Sequence, residues 1–227
     1  MRFSFVTLFP SIIEGYFGDS ILKRAIDNGK ISIEFINPRD FSTNRHNKVD
    51  APMVGGGAGM VISPQPISDA IESIKKISPN AHTIFLTPVG KKFEQSDAKR
   101  LANREHIVFV SGRYEGIDER VIESMADELF SIGDFILTGG ELASMVICDA
   151  ISRNVDGVLG NSDSLVIESF EDSSLEAPSF TKPITYREKD VISEFLKGNH
   201  SKITALKSRL ALCKTKYFRP DLYQKVK

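Results

Sequence analysis

The stretch Leu129-Phe130-Ser131-Ile132-Gly133-Asp134-Phe135-Ile136-Leu137-Thr138-Gly139-Gly140-Glu141-Leu142 runs from a short apolar segment through a glycine-rich loop into a helical pattern. Residues 129–132 read as a strand, and residues 141–151 set Leu142, Met145, Val146 and Ala150 at helical spacing. Working outward, branched and aromatic runs recur at residues 3–8, 31–36, 83–86 and 107–110. Helical patterns lie between them: residues 12–28 closed by Gly29 as a C-cap, and residues 67–77 with Ala70, Ile71 and Ile74 on one face. This alternation predicts an α/β fold with a mostly parallel sheet covered by helices. Phe3, Phe5, Val6 and Leu8 are then a buried first strand, because Pro10 and Glu14 interrupt the apolar start before it serves as a secretory segment.

Ligands of parallel sheets gather beyond the carboxyl ends of the strands. Behind the last three apolar runs stand Leu86-Thr87-Pro88-Val89-Gly90, Ser111-Gly112-Arg113-Tyr114-Glu115-Gly116 and Ser131 to Gly140. Glycines there let a ligand approach backbone amides, and Tyr114, Phe135, Ile136 and Leu137 suit a flat ring such as a purine. Each loop alone is also explained by a tight turn; three in succession favour one composite nucleotide-like site. Gly55-Gly56-Gly57-Ala58-Gly59 lacks the Lys-Ser/Thr of a P-loop and the dinucleotide spacing, so it reads as a flap, a close approach to RNA, or a plain glycine loop. Arg39, Arg45, His46 and Lys48 precede Asp50 in a loop that suits phosphates or water equally.

The 227 residues are 41% hydrophobic and 26% charged, with 29 Lys and Arg against 30 Asp and Glu. That excludes a disordered or fibrous chain, and about 150 residues per domain allows one large domain with an appendage. No run approaches a membrane span. Cys148 and Cys213 sit in apolar helical surroundings without metal-ligand spacing, so the expectation is no disulfide, no metal and a reducing cytoplasmic address. The charge is uneven: residues 182–227 hold 12 Lys and Arg against 4 Asp and Glu. A tail of local charge +8 suits a phosphate backbone or a solvated helix face. Within it Ile203, Leu206 and Leu210 form an apolar stripe, while Lys202, Lys207 and Arg209 project elsewhere. Before it, residues 160–179 contain Asp163, Glu168, Glu171, Asp172, Glu176 and six serines without one Lys or Arg, the composition of a mobile linker. The expected domains are 1–160, a linker at 161–178 and a basic helical domain at 179–227.

The strings Ser111-Gly112-Arg113-Tyr114-Glu115-Gly116-Ile117-Asp118-Glu119-Arg120-Val121 and Ser131 to Leu142 resemble the bacterial tRNA (guanine-N1)-methyltransferases, the TrmD family. Leu8-Phe9-Pro10, Asn37-Pro38-Arg39-Asp40-Phe41, Gly157-Val158-Leu159-Gly160, Gly198-Asn199-His200 and Arg219-Pro220-Asp221-Leu222 extend the resemblance over the whole chain. It implies a SPOUT-type α/β domain with a deep trefoil knot, a helical C-terminal domain, and a homodimer with shared active sites. It further implies that tRNA is the partner, S-adenosylmethionine the cofactor, and the guanosine immediately 3′ of the anticodon the target. By the same resemblance Leu86, Thr87, Pro88, Gly112, Tyr114, Glu115, Ser131, Ile132, Gly133, Asp134, Phe135, Ile136, Leu137, Gly139 and Gly140 contact the cofactor. His46, Asp50, Arg113, Ser169 and His200 contact the substrate.

Guanine N1 carries a proton at neutral pH, so attack on a sulfonium methyl needs a base, and charge then builds on O6. The resemblance gives these roles to Glu168 and Arg153. Glu168-Ser169-Phe170 stands where the family usually has Asp-Ser-Phe, with Asp172 as the alternative base. Further departures are Met53-Val54 and Ala58 around the flap glycines, Ala143 after Gly-Gly-Glu-Leu, and Leu206 in place of a tryptophan. Two other functions share these features: methylation of another RNA position, and RNA binding without catalysis.

Overall fold

The computed structural model describes residues 1–161 and 168–226; the linker stretch 162–167, Asp163 included, and Lys227 lie outside the described residues. Branched and aromatic runs become β1 (Arg2–Val6), β2 (Ser32–Ile36), β5 (His82–Lys92), β6 (His106–Ser111) and β7 (Glu128–Ser131), all parallel in the order β2-β1-β6-β5-β7. The register sets Phe3 beside Ile107 and Phe5 beside Phe109. Every residue of β6 is buried, as a strand covered on both faces must be.

Two apolar layers follow from the alternation. Phe3, Phe5, Ile84, Phe109 and Phe130 pack with α1 (Pro10–Glu14), α2 (Ser20–Asp27), α4 (Gln95–Leu101) and α6 (Glu141–Ser152). Val6, Phe85, Val108 and Val110 pack with Ile67, Ala70, Ile71 and Ile74 of α3 (Pro64–Ile77) and Val121 of α5 (Glu119–Met125). The single helix expected at 12–28 is instead broken: Gly15–Gly18 forms a 3-10 turn, and Asp19 accepts the Ser20 N–H to cap α2. Two glycines within four residues lower helix propensity where an N-cap residue stands ready to restart it. A short antiparallel hairpin, β3 (Asp50–Pro52) with β4 (Met60–Ile62), carries the glycine flap.

The chain divides at Gly160 into two compact units. In the second, a two-residue hairpin, β8 (Thr185–Tyr186) with β9 (Lys189–Asp190), precedes α7 (His200–Phe218) and α8 (Pro220–Val226). Asn199 caps α7 by accepting the Lys202 N–H. Ile203, Leu206 and Leu210 are half-buried, as the stripe requires. Of the acidic stretch, Leu175 is tied to α7, its N–H donating to Thr215 Oγ1 (2.9 Å). Among the described residues no helix is long and apolar enough to cross a membrane.

Candidate functional site

Strands β6, β5 and β7 are neighbours, so the loops at their carboxyl ends meet at one edge of the sheet. The first leaves β5 as a bulge. Pairing with β7 jumps from Leu86 to Lys91, both opposite Phe130, and Thr87 to Gly90 loop out. Pro88 lacks the N–H a ladder needs, which suits a bulge. Gly90 is required by close approach: a Cβ there would lie 2.6 Å from the Phe130 backbone nitrogen. Leu86 is buried, whereas Pro88 is exposed at the rim.

The second and third loops are fastened to one another. The Gly140 N–H donates to the Gly112 carbonyl (2.9 Å), and Arg113 and Gly139 form an antiparallel bridge. A Cβ on Gly140 would stand 2.9 Å from Ser111 Cα, backbone against backbone, so only glycine allows this contact. Ser131 Oγ donates to the Gly133 carbonyl and accepts the Gly133 N–H, holding the start of the third loop. Beyond it Asp134, Phe135, Ile136 and Leu137 are exposed, as are Tyr114 and Glu115, while Ile132 is half-buried. Tyr114 has φ +58°, a conformation disfavoured for a bulky residue by roughly 1–2 kcal/mol. The surrounding bonds, including Gly116 N–H to the Arg113 carbonyl (3.0 Å), hold it there.

Arg113, expected at the substrate, is tied to the protein itself. Its Nε lies 2.9 Å from Glu141 Oε2 with the N–H turned off the carboxylate, so the link is an ion pair rather than an aligned hydrogen bond. Its Nη1 donates to the Thr138 carbonyl (3.2 Å), and the guanidinium stands 4.7 Å over the Phe9 ring. Thr7 Oγ1 donates to the other Glu141 oxygen (2.9 Å). Glu141 opens α6, where the helix dipole favours an anion. Thr7, Phe9 and Glu141 are thus parts of the site that the loop motifs did not single out. They fix the ends of β1, the second loop and the third loop to one another.

The flap rests on the same place. Glu115 N–H donates to the Met60 carbonyl (3.0 Å), Ile62 N–H to the Gly116 carbonyl (2.9 Å), and Asp118 N–H to the Ile62 carbonyl (3.0 Å). Asp50 begins β3, paired with Ile62, and so belongs to this docked hairpin. His46 lies in the exposed loop before it, its N–H donating to Asn44 Oδ1 (2.9 Å). Arg153 is the C-cap of α6 and half-buried.

Glu168, Ser169 and His200 belong to the second unit. Glu168 lines a cleft of about 1120 Å³ with Phe180, Ile203 and Lys207. Ser169 Oγ accepts the Glu176 N–H (3.1 Å), and His200 starts α7 in full exposure. The remaining expected residues, apart from His46 and Arg153, all lie in the strand-end loops or the hairpin docked on them.

A family model described as tRNA (Guanine-1)-methyltransferase TrmD matches residues 1–225. A tRNA (guanine-N(1)-)-methyltransferase of Sulfurovum sp. (strain NBC37-1) is 75% identical over 225 residues, 99% of either chain. Proteins of the same name from Sulfurimonas denitrificans and Campylobacter curvus are 67% identical over 221 residues and 61% over 227, covering 97% and 100% of this chain and 96% of each relative.

Proposed function

Since the chain belongs to the tRNA (guanine-1)-methyltransferase family, we propose that it transfers the methyl group of S-adenosylmethionine to N1 of the guanosine immediately 3′ of the anticodon. The observation that carries the cofactor assignment is the junction of three strand-end loops, two of them joined backbone to backbone at Gly112 and Gly140. Exposed Tyr114, Phe135, Ile136 and Leu137 offer apolar surface for an adenine ring, loop amides suit its edge, and Glu115 suits the ammonium of the methionine moiety. S-adenosylmethionine held by these loops would supply a sulfonium methyl for N1, its sulfur keeping the electron pair of the broken bond.

This chain's own residues do the rest. Glu168 takes the N1 proton as that bond forms, and Arg153 balances the charge on O6, a stabilisation larger in the transition state than before it. Glu168 lines a cleft of the second unit, which suits a carboxylate that must receive a splayed base. His46, Asp50, Arg113, Ser169 and His200 hold the RNA around it. Asp50 reaches the site on the docked hairpin, and Arg113 orders the loops through Glu141. In this reading residues 131–140 cross the loop at 111–116 as a trefoil knot, and residues 161–178 act as the linker to a tRNA-binding domain that begins at 179.

Leu142 and Val146, one turn apart, stand exposed on α6, and Ile136 is exposed in the loop before it. Such a face supports a homodimer in which the two chains share active sites. A tRNA substrate supports a cytoplasmic protein. The test is transfer of labelled methyl from S-adenosylmethionine to a tRNA transcript with guanosine 3′ of the anticodon, beside one with adenosine there. Label in the first alone is expected. Label in both would move the target elsewhere in the RNA, and label in neither would leave binding without catalysis.

A further inference from the structure

Helix α7 carries a pattern that its apolar stripe does not use. His200–Phe218 contains Lys202, Lys207, Arg209, Lys214 and Lys216 and no Asp or Glu. Among the described residues none of these five cations forms an ion pair. At 3.6 residues per turn, Lys202, Arg209 and Lys216 fall on one face within about 40° of one another, and at 1.5 Å rise they follow at intervals of about 10.5 Å. All three are exposed. Ala205 and Cys213 share that face, and the one aromatic ring the structure places against it is Tyr223 of α8, 5.9 Å from Lys216 Nζ at its end. The acidic segment lies on the other side: Glu168, Glu171, Asp172 and Glu176 line the cleft with Thr204, Ser208 and Ala211, and Leu175 bonds Thr215. The ridge is therefore held away from the nearest run of carboxylates.

We propose that the ridge Lys202, Arg209 and Lys216 docks on the sugar-phosphate backbone of a double-helical stem of the tRNA. This rests on the tRNA reading above and adds which face of the second unit meets the RNA and which part of the RNA it meets. Three cations at fixed intervals on a rigid helix suit a regular path of phosphates. With a single ring at one end and none along its length, the ridge offers no platform on which successive splayed bases can stack, so it fits a stem rather than a single-stranded loop. The contact positions the RNA without reading its sequence.

The test measures binding of the full chain to a tRNA transcript over a series of salt concentrations. Replacing all three ridge residues (K202A, R209A and K216A together) is expected to weaken binding and to flatten the log–log salt slope by about 2–3, since each lost phosphate contact removes about 0.7–0.9. K214A, about 140° around the helix from Arg209 and outside the cleft that Glu168 lines, is expected to keep the wild-type slope. A ridge variant with an unchanged slope, or the same loss per charge in both variants, overturns the proposal. A short RNA duplex is expected to compete with tRNA for the wild-type protein better than a single strand of equal length; equal competition overturns it.

Cys213 gives a direct probe, because it is exposed on the ridge whereas Cys148 is buried. Bound tRNA is expected to slow alkylation of Cys213 by iodoacetamide at least several-fold, and an unchanged rate overturns the proposal. Methyl transfer by the wild-type protein separates the two ideas. No transfer defeats the proposed function, whereas transfer that the ridge variant retains at saturating tRNA, with a raised KM, is what a docking surface predicts.

Discussion

Two arginine–carboxylate pairs of almost equal length show how differently the two units are built. In the first unit Arg113 lies 2.9 Å from Glu141, with 16% and 1% of their side chains exposed. In the second, Arg219 lies 2.7 Å from Asp221, with 42% and 58% exposed. The first pair has lost its water and depends on protein partners; the second keeps its water and gains little. The surroundings follow the same division. Among the described residues Leu222 is the one buried hydrophobic residue of the second unit, and all others belong to the first. The first unit thus sets its strand-end loops in place before any ligand arrives. The second keeps its charges solvated, as the proposed exchange of water and counterions for RNA requires.

The sharpest way to break this division is to remove the chemistry from one side and leave binding intact on the other. Glu168→Gln is expected to lower turnover by about 10²–10⁴-fold, the range for loss of a general base. Calorimetric affinity for S-adenosylmethionine should stay unchanged, because the loops proposed to hold it lie in the first unit. A parallel loss of cofactor affinity would mean that the site is not divided in this way. Arg153→Ala is expected to reduce turnover far more than tRNA affinity, and a defect in binding alone would remove it from the chemistry.

Glu141→Ala acts on the other side of the comparison. It leaves Arg113 without its buried partner and Thr7 without its acceptor, so denaturant unfolding of the first unit should show a loss of about 3–5 kcal/mol. Cofactor affinity should fall as well, since the second and third loops meet through this pair. A loss below about 1 kcal/mol would place the pair in solvent.

The five runs at 3–8, 31–36, 83–86, 107–110 and 129–132 fall on the five strands of the sheet; the central β6 reads as an almost unbroken apolar segment, whereas β2, at an edge, alternates. The loops that carry the site were legible for a related reason: a parallel sheet directs ligands to its carboxyl edge. What lies beyond short-range pattern was not legible. Asp97 and Glu94 cap α4 through a reciprocal box, yet this helix is too short to show a period. The hairpin β3–β4 contains glycines and a proline, so its pairing is set by the loop it docks on. Glu141 and Thr7 are far apart in sequence, and the contact between them exists only after the sheet has formed. Arg113 stood in a legible motif, but its pairing with Glu141 was not legible there.

A smaller effect separates the units by pH. His106 is buried beside Ser4, whose Oγ lies 2.8 Å from its Nε2. Burial, and then the charge of Arg2, hold its pKa below the usual value. The unfolded chain therefore binds a proton first, near pH 6.5. Stability of the first unit should be complete above that value and decline as pH falls through the lower folded value, a limb that flattens in His106→Gln. The second unit has no described buried histidine, and its unfolding should not share this limb.

The smallest effect is expected at Asp221. The Arg219 guanidinium holds its pKa at about 2, against about 3.9 for a free aspartate, so its contribution is present above about pH 4 and lost as pH falls toward 2. The pair is open to water, and at 1 M salt the screening length of about 3 Å is shorter than most of its field. Asp221→Asn at neutral pH should therefore leave the unfolding midpoint within the scatter of repeated measurements, and 1 M sodium chloride should erase any difference. Glu141→Ala should keep its loss in the same salt, because ions do not reach a carboxylate with 1% of its side chain exposed. If salt removed both losses alike, burial would not be what distinguishes the two pairs, and the contrast between a preformed site and a solvated docking unit would fail.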